Sequence, residues 1–375
     1  MAVSAPKSAG VHAPPASPSD ETYDKIRKMI EASIIEKASG NKGKQKSAEP
    51  VEEIKVEKRA KEKGTNQEMF SKVFGISVDK EKDFPVTVFS LSDWHTDVQA
   101  FVPKADPTYN LQVEQAMRLI EAWEEGDKTI ITGPTGSGKS SLVKYCCAKT
   151  GRPFIRLNMN GDVESSAIFG HIVVEDGATV WRNGAATDAA IHGAVLLIDE
   201  WEIMPPDIGM GFQNVLEDGG YLFLKEKPGQ SVDKMIVPHD NFRIVYCGNT
   251  VGQGDETGSF AGVHVQNTAT IDRFNTTIML GYLDKEHETQ VLKNTVPDLD
   301  AKIIKRMLQV ADLVRESNQQ GNLTLTMSPR TLISWGKKII RYGDVKEALM
   351  YCFLNKLSTA NKKLVMDYYD KVFGK

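Results

Sequence analysis

Lys128-Thr129-Ile130-Ile131-Thr132-Gly133-Pro134-Thr135-Gly136-Ser137-Gly138-Lys139-Ser140-Ser141 reads as a buried strand, a glycine-rich loop and the first turn of a helix. The loop satisfies G-x-x-x-x-G-K-[ST], a pattern that holds nucleotide phosphates. Glycines let backbone N–H groups approach phosphate oxygens, and the helix N-terminus adds its partial positive charge. On this reading Gly133, Pro134, Thr135, Gly136, Ser137, Gly138, Lys139, Ser140 and Ser141 form the nucleotide cradle. Lys139 reaches the β- and γ-phosphates, and the Ser140 hydroxyl ligates Mg²⁺, so ATP and Mg²⁺ are the expected ligands. An accidental glycine-rich turn would match the same letters. A strand ahead of the loop and the apolar face of Leu142, Val143, Cys146 and Cys147 behind it argue against the accident.

Downstream, short apolar runs at 153–157, 194–198, 242–247 and 276–280 alternate with helical patterns. Such runs imply a parallel sheet covered on both faces by helices, an α/β fold. Beyond Asp284 the pattern is helical only, broken by Pro297, Gly321, Pro329 and Gly343, and predicts a small C-terminal helical lid. Upstream, a helix is expected over about 108–125, with Leu111, Met117, Leu119, Ile120 and Trp123 giving it an apolar side. Met69, Phe70, Val73 and Phe74 suggest a small packed element, and 83–90 an extended segment.

Polar residues at the ends of these runs carry the chemistry. The run 194–198 ends in Asp199-Glu200, and parallel sheets bind ligands at the C-terminal ends of their strands. Asp199 fits the Walker B carboxylate that holds Mg²⁺, and Glu200 the group that orients or deprotonates the attacking water. The run 242–247 ends at Gly248-Asn249-Thr250, where Asn249 looks like the sensor 1 residue of AAA+ ATPases. Arg273, just before the last strand, occupies the position of an arginine finger, and Arg330, opening a lid helix after Ser328-Pro329, that of a sensor 2 arginine. Either arginine alone would read as a surface ion-pair residue.

The chain has 375 residues, of which 26% are charged, with a formal net charge of −4. That length predicts about two domains plus a tail. The mildly acidic balance speaks against a dedicated nucleic-acid binder. No apolar run approaches the roughly 20 residues that span a bilayer, and no secretory leader is evident, so the expected compartment is the cytoplasm. The four cysteines, Cys146, Cys147, Cys247 and Cys352, form no C-x-x-C pair and read as small core residues. Residues 1–65 are Ala/Pro/Ser-rich, then Lys/Glu-rich, and read as a disordered tail with a short helix over about 21–38. The expected domains are therefore 1–65, a small element at 66–106, an ATPase domain at 107–283 and a lid at 284–375.

The stretch Asn249-Thr250-Val251-Gly252-Gln253-Gly254-Asp255-Glu256-Thr257-Gly258, followed by Gln266-Asn267 and Ile271-Asp272-Arg273, resembles the CobS-type cobaltochelatase ATPases. These stand close to the MoxR and Mg-chelatase AAA+ ATPases, and similar chains occur in phage genomes. Val73-Phe74-Gly75-Ile76 resembles their entry segment, so the likeness runs from about residue 70 to the C-terminus. It implies a P-loop AAA+ fold and a homo-oligomeric ring, usually a hexamer, with ATP between subunits. It implies a partner protein carrying a von Willebrand A-type domain, as the CobT-like subunits do. It also implies two inserts, one near 171–184 turning at Asp176-Gly177 and one near 221–237 turning at Pro228-Gly229. Trp181 and Lys225-Glu226-Lys227 are their candidate contact residues, although Trp181 also suits a packing anchor at the hairpin base. Two other readings remain open from the residues alone: a nucleic-acid-associated motor and a nucleotide-gated scaffold.

Overall fold

The computed structural model describes residues 66–160, 162–252 and 266–374. The helix expected over 21–38 and the Gln253–Gly258 part of the resemblance lie outside these residues. The described chain opens with an antiparallel pair, β1 (Asn66–Met69) and β2 (Pro85–Val88), flanking the short helix α1 (Phe70–Phe74). Phe70 and Phe74 stack at 4.3 Å and seal this element against the sheet that follows. Helix α2 (Thr96–Gln99) comes next, then α3 (Val113–Glu125).

The start of α3 corrects an expectation. The helix was expected from about 108 but begins at Val113. Asp106 Oδ1 accepts both the Thr108 N–H (2.8 Å) and the Thr108 hydroxyl (2.7 Å), an Asx turn that competes with helix. Asn110 and Gln112 meanwhile donate to the backbone oxygens of His287 and Gly281, which hold this stretch extended.

The remaining elements are β3 (Thr129–Thr132), α4 (Lys139–Thr150), β4 (Phe154–Asn158), α5 (Ser165–Phe169), β5 (Gly170–Glu175), β6 (Ala178–Asn183), α6 (Ala185–His192) and β7 (Val195–Asp199). After these come α7 (Pro206–Gln213), β8 (Leu222–Phe223), β9 (Met235–Ile236), β10 (Arg243–Gly248), α8 (Thr268–Ile271) and β11 (Thr276–Met279). Five strands form one parallel sheet in the order β11-β3-β10-β7-β4. Alternation along each strand sorts its residues between two cores. Ile130, Leu196, Ile198, Ile244 and Tyr246 face the side of α6 and α7. Ile131, Val195, Leu197, Val245 and Cys247 face α3 and α4. Every residue of β3 and β7 is buried, as a parallel sheet covered on both faces requires.

The C-terminal part is a bundle of α9 (Lys285–Thr295), α10 (Ala301–Gln319), α11 (Pro329–Tyr342), α12 (Val345–Cys352) and α13 (Thr359–Phe373) around Met307, Trp335 and Leu349. Side chains of Asp284, Asp300, Ser328, Asp344 and Ser358 cap these five helices in turn. Each such cap is worth about 1 kcal/mol. All four cysteines are buried and free, and burial raises the pKa of each thiol.

Both inserts are present, with one difference from expectation. β5 and β6 pair antiparallel around Asp176 (φ 50°) and Gly177 (φ 80°), the two left-handed residues of a type I′ turn. Trp181 lies against Gly170 at the base of this hairpin, where a Cβ would meet its ring at 2.5 Å. β8 and β9 pair only through Leu222–Ile236 and Phe223–Met235, so Pro228-Gly229 is not a tight hairpin turn. Leu224 N–H still reaches the Lys234 carbonyl (2.8 Å), but beyond it Gln230 N–H is taken by Asp233 Oδ2 (2.8 Å) and Lys227 N–H by Leu224 O (3.1 Å), so residues 225–233 close on themselves instead of extending the ladder.

Candidate functional site

Strand register assembles the site. Gly248 pairs with Thr132, and Cys247 with Asp199, so three chain exits lie level at the C-terminal edge of the sheet. These exits are the start of the P-loop, Asp199-Glu200 and Asn249. The Asn249 amide links them. Its Oδ1 accepts from Lys139 Nζ (3.0 Å), and its Nδ2 donates to Glu200 Oε2 (3.2 Å). Lys139 also donates to the Gly133 and Pro134 carbonyls, at 2.7 and 3.2 Å. Ser140 Oγ donates to Asp199 Oδ2 at 2.6 Å.

Two backbone features mark this edge. Glu200 has φ 55° and ψ 41°, a left-handed conformation unusual for a side chain of its size. Strain of this kind costs about 1–3 kcal/mol and gathers at functional positions. In the loop, Gly133, Gly136 and Gly138 all have positive φ. At Gly133 a Cβ would lie 2.0 Å from the Leu280 carbonyl, and at Gly136 2.5 Å from Ser328 Cβ.

Burial sets the electrostatics. It lowers the Lys139 pKa, while the negative charges of Glu200, Asp199 and Glu202 work in the opposite sense. Burial also raises the pKa of Glu200, and repulsion from Glu202 and Asp199 raises it further. A carboxylate with raised basicity beside a lysine is suited to accept a proton from water.

Sequence reasoning missed two residues here. Arg156, on the edge strand β4, places Nη2 2.5 Å from Asp199 Oδ2. A lone charge inside the run Phe154-Ile155-Arg156-Leu157, which neighbours the acidic strand, was the available signal. Glu202 is fully buried, and its Oε1 accepts from Thr250 N–H (2.6 Å) and the Thr250 hydroxyl (3.2 Å). Its carboxyl lies where a Gly248 Cβ would be, 2.4 Å away, and Oε2 has no donor among the described residues. Nothing in Trp201-Glu202 distinguishes this acid from an exposed helix start.

The two distal arginines do not join the network. Arg273 lies three residues ahead of β11, whose first residues pair with Lys128 and Thr129 at the N-terminal end of the sheet. There Nε donates to Glu217 Oε1 at 2.5 Å and Nη1 to the Ala269 carbonyl. Arg330 is exposed in the first turn of α11, two residues beyond Ser328, which abuts the loop at Gly136.

The donor set fits a nucleotide with Mg²⁺. Three glycines open the loop backbone for phosphate oxygens, Lys139 supplies a cation, and a hydroxyl lies beside a carboxylate at Ser140 and Asp199. Oxygen donors of that kind suit Mg²⁺.

Comparison with known proteins places the chain in a family. Residues 128–274 match the AAA domain (dynein-related subfamily), and residues 288–366 match the CbbQ/NirQ/NorQ C-terminal family. The chain is 32% identical over 310 residues to the aerobic cobaltochelatase subunit CobS of Sinorhizobium sp, covering 80% of this chain and 89% of that protein. It is 24% identical over 273 residues to the gas vesicle ATPase GvpN of Haloferax mediterranei, covering 67% and 74% of the two chains. Protein CbbQ of Hydrogenophilus thermoluteolus is 26% identical over 242 residues, covering 64% and 85%.

Proposed function

This chain belongs to the AAA+ ATPases of the CobS type, and from that premise we propose that it is a ring-forming motor that hydrolyses ATP to remodel a partner protein. The observation that carries the reading is the Asn249 side chain, bonded to Lys139 on one side and to Glu200 on the other. One amide thus touches both the phosphate-binding cation and the base that acts on water.

In this reading the loop amides and Lys139 bind the triphosphate, and Glu200 takes a proton from water that Asn249 orients. Ser140 and Asp199 would hold Mg²⁺, which neutralises phosphate charge when bound. Arg156 supplies a counter-charge to Asp199. Arg273, remote from its own P-loop, would reach the γ-phosphate held by the neighbouring subunit. A guanidinium supplied from a neighbour is worth roughly 10³- to 10⁵-fold in rate, about 4–7 kcal/mol of barrier. Assembly is then part of the active site, and Arg330 adds a lid-borne charge to a bound nucleotide, its own subunit's or the neighbour's.

The name of the relative in Sinorhizobium sp, a subunit of a chelatase, supports a client that is another protein. The proposed client carries a von Willebrand A-type domain, contacted by the β5–β6 hairpin. The test is a capture experiment with Glu200→Gln held in ATP. The proposal expects an assembled, nucleotide-bound protein that releases little phosphate and retains the client. Normal turnover by this variant would remove Glu200 from the mechanism.

A further inference from the structure

The segment between β11 and α9 runs directly over the P-loop. Leu280 N–H donates to the Thr132 carbonyl (2.8 Å), and its own carbonyl fills the space beside Gly133. Two residues later the Tyr282 hydroxyl donates to the Thr135 carbonyl at 3.0 Å, with Thr326 Oγ1 3.4 Å away. This is a bond from the root of the helical bundle to the phosphate loop.

The tyrosine is itself held in place. The Arg315 guanidinium lies 4.2 Å from the centroid of its ring. Arg315 and Glu288 are both buried and form a two-pronged ion pair, with Nη1 and Nη2 at 2.9 and 2.7 Å from the carboxylate oxygens. Arg315 Nε donates to the Met327 carbonyl (2.8 Å), and the next residue, Ser328, is the one that meets Gly136. One buried pair therefore fixes both bundle contacts to the loop, the ring over Thr135 and the turn against Gly136. Bidentate geometry makes the guanidinium a rigid support, and the cation over the ring adds attraction.

The Thr135 carbonyl and the Gly136 N–H belong to one planar trans peptide, so they point in opposite directions. Whatever holds the carbonyl aims the amide. We propose that Tyr282 is a positioning residue for the phosphate loop. Its hydroxyl, by holding the Thr135 carbonyl, turns the Gly136 N–H into the phosphate cradle and couples nucleotide binding to the bundle. The proposal rests on the nucleotide reading above, through the P-loop.

The test is Tyr282→Phe in the full chain, which deletes the hydroxyl and keeps the ring under Arg315. Loss of one neutral hydrogen bond predicts a fall of about three- to tenfold in affinity for ADP and for a non-hydrolysable ATP analogue. The ligand-free variant, having lost one hydrogen bond, melts at most about 2–4 °C below the parent. Hydrogen exchange gives the readout that a merely structural residue would not move. In the parent, nucleotide protects the Gly136 amide and the start of α11; in Tyr282→Phe that protection shrinks at both places. Thr326→Val, which removes the other partner of the hydroxyl, leaves affinity unchanged. Parent-like affinity and protection in Tyr282→Phe would overturn the proposal, as would an affinity loss with protection unchanged at the Gly136 amide or one reproduced by Thr326→Val. Absence of nucleotide binding by the parent would instead sink the nucleotide reading itself, a distinguishable result.

Discussion

The two ends of the central sheet differ in how much they complete. At the C-terminal edge Lys139, Ser140, Asp199, Glu200 and Asn249 are joined by hydrogen bonds within one chain. At the N-terminal edge Arg273 pairs with Glu217 near the surface, beside a hollow of about 510 Å³ lined by Lys128, Asp218, Gly219 and Asp240. In the proposed reading, the first end binds the triphosphate and lacks only the guanidinium that a neighbour would supply. The other end presents the Arg273 guanidinium, which among the described residues bonds Glu217 and the Ala269 carbonyl and not the P-loop. Such a chain is suited to be placed head to tail against copies of itself, each end supplying what the other lacks.

The largest effect that would test this contrast is Arg273→Ala. It should retain nucleotide affinity, measured by equilibrium binding, and lose roughly 10³- to 10⁵-fold in phosphate release by the assembled protein. Mixing it with Lys139→Ala should restore part of the turnover, because each variant still supplies the end that the other has lost.

Glu200→Gln should lower turnover about 10²- to 10⁴-fold at the opposite end. It also makes a stability prediction whose sign follows from the raised pKa of Glu200. The folded carboxyl binds its proton more tightly than the unfolded one, so stability rises as pH falls through the window between the two values. Above that window the charged Glu200 weakens the fold. The Gln variant should therefore melt higher than the parent at neutral pH, and the gain should vanish once the pH falls below the ordinary carboxylate range. A melting series against pH checks this. The acid limb of the parent's turnover should lie above the ordinary carboxylate pKa for the same reason.

Glu202→Ala probes the support under Asn249. It leaves the half-buried Thr250 N–H without its acceptor, a loss of about 1–3 kcal/mol measurable by urea unfolding, and Glu202→Gln should lose less. The smallest effect belongs to Glu217→Ala. Its carboxylate is exposed, and exposed pairs contribute about 0–1 kcal/mol. Thermal unfolding should hardly change, while ring-dependent turnover, which uses the freed Arg273, should respond.

What the sequence made legible was local. The five buried residues of β7, the positive-φ glycines of the loop and the Asp176-Gly177 turn each follow from a few neighbouring letters. Polar residues at strand ends were readable for the same reason: a parallel strand delivers its next residue to the ligand-binding edge. Strand order was not readable, because it is fixed by pairing between distant segments. Arg156, Glu202 and Tyr282 stayed hidden because their roles depend on who lies across from them: Asp199, Thr250 and Thr135. Tertiary capture also explains the corrected boundaries. Asn110 and Gln112 are drawn to the backbone of the 281–287 linker, so the helix expected from 108 starts later. Asp233 claims the Gln230 N–H that a longer hairpin would have used.

The central claim is that hydrolysis uses one end of one subunit and the other end of its neighbour. The most direct measurement is phosphate release per subunit against protein concentration, with the assembly state recorded at every point by light scattering. Turnover per subunit should be near zero where the protein is monomeric and rise in step with the oligomer. A dilute, demonstrably monomeric chain that hydrolyses ATP as fast as its assemblies would contradict the account.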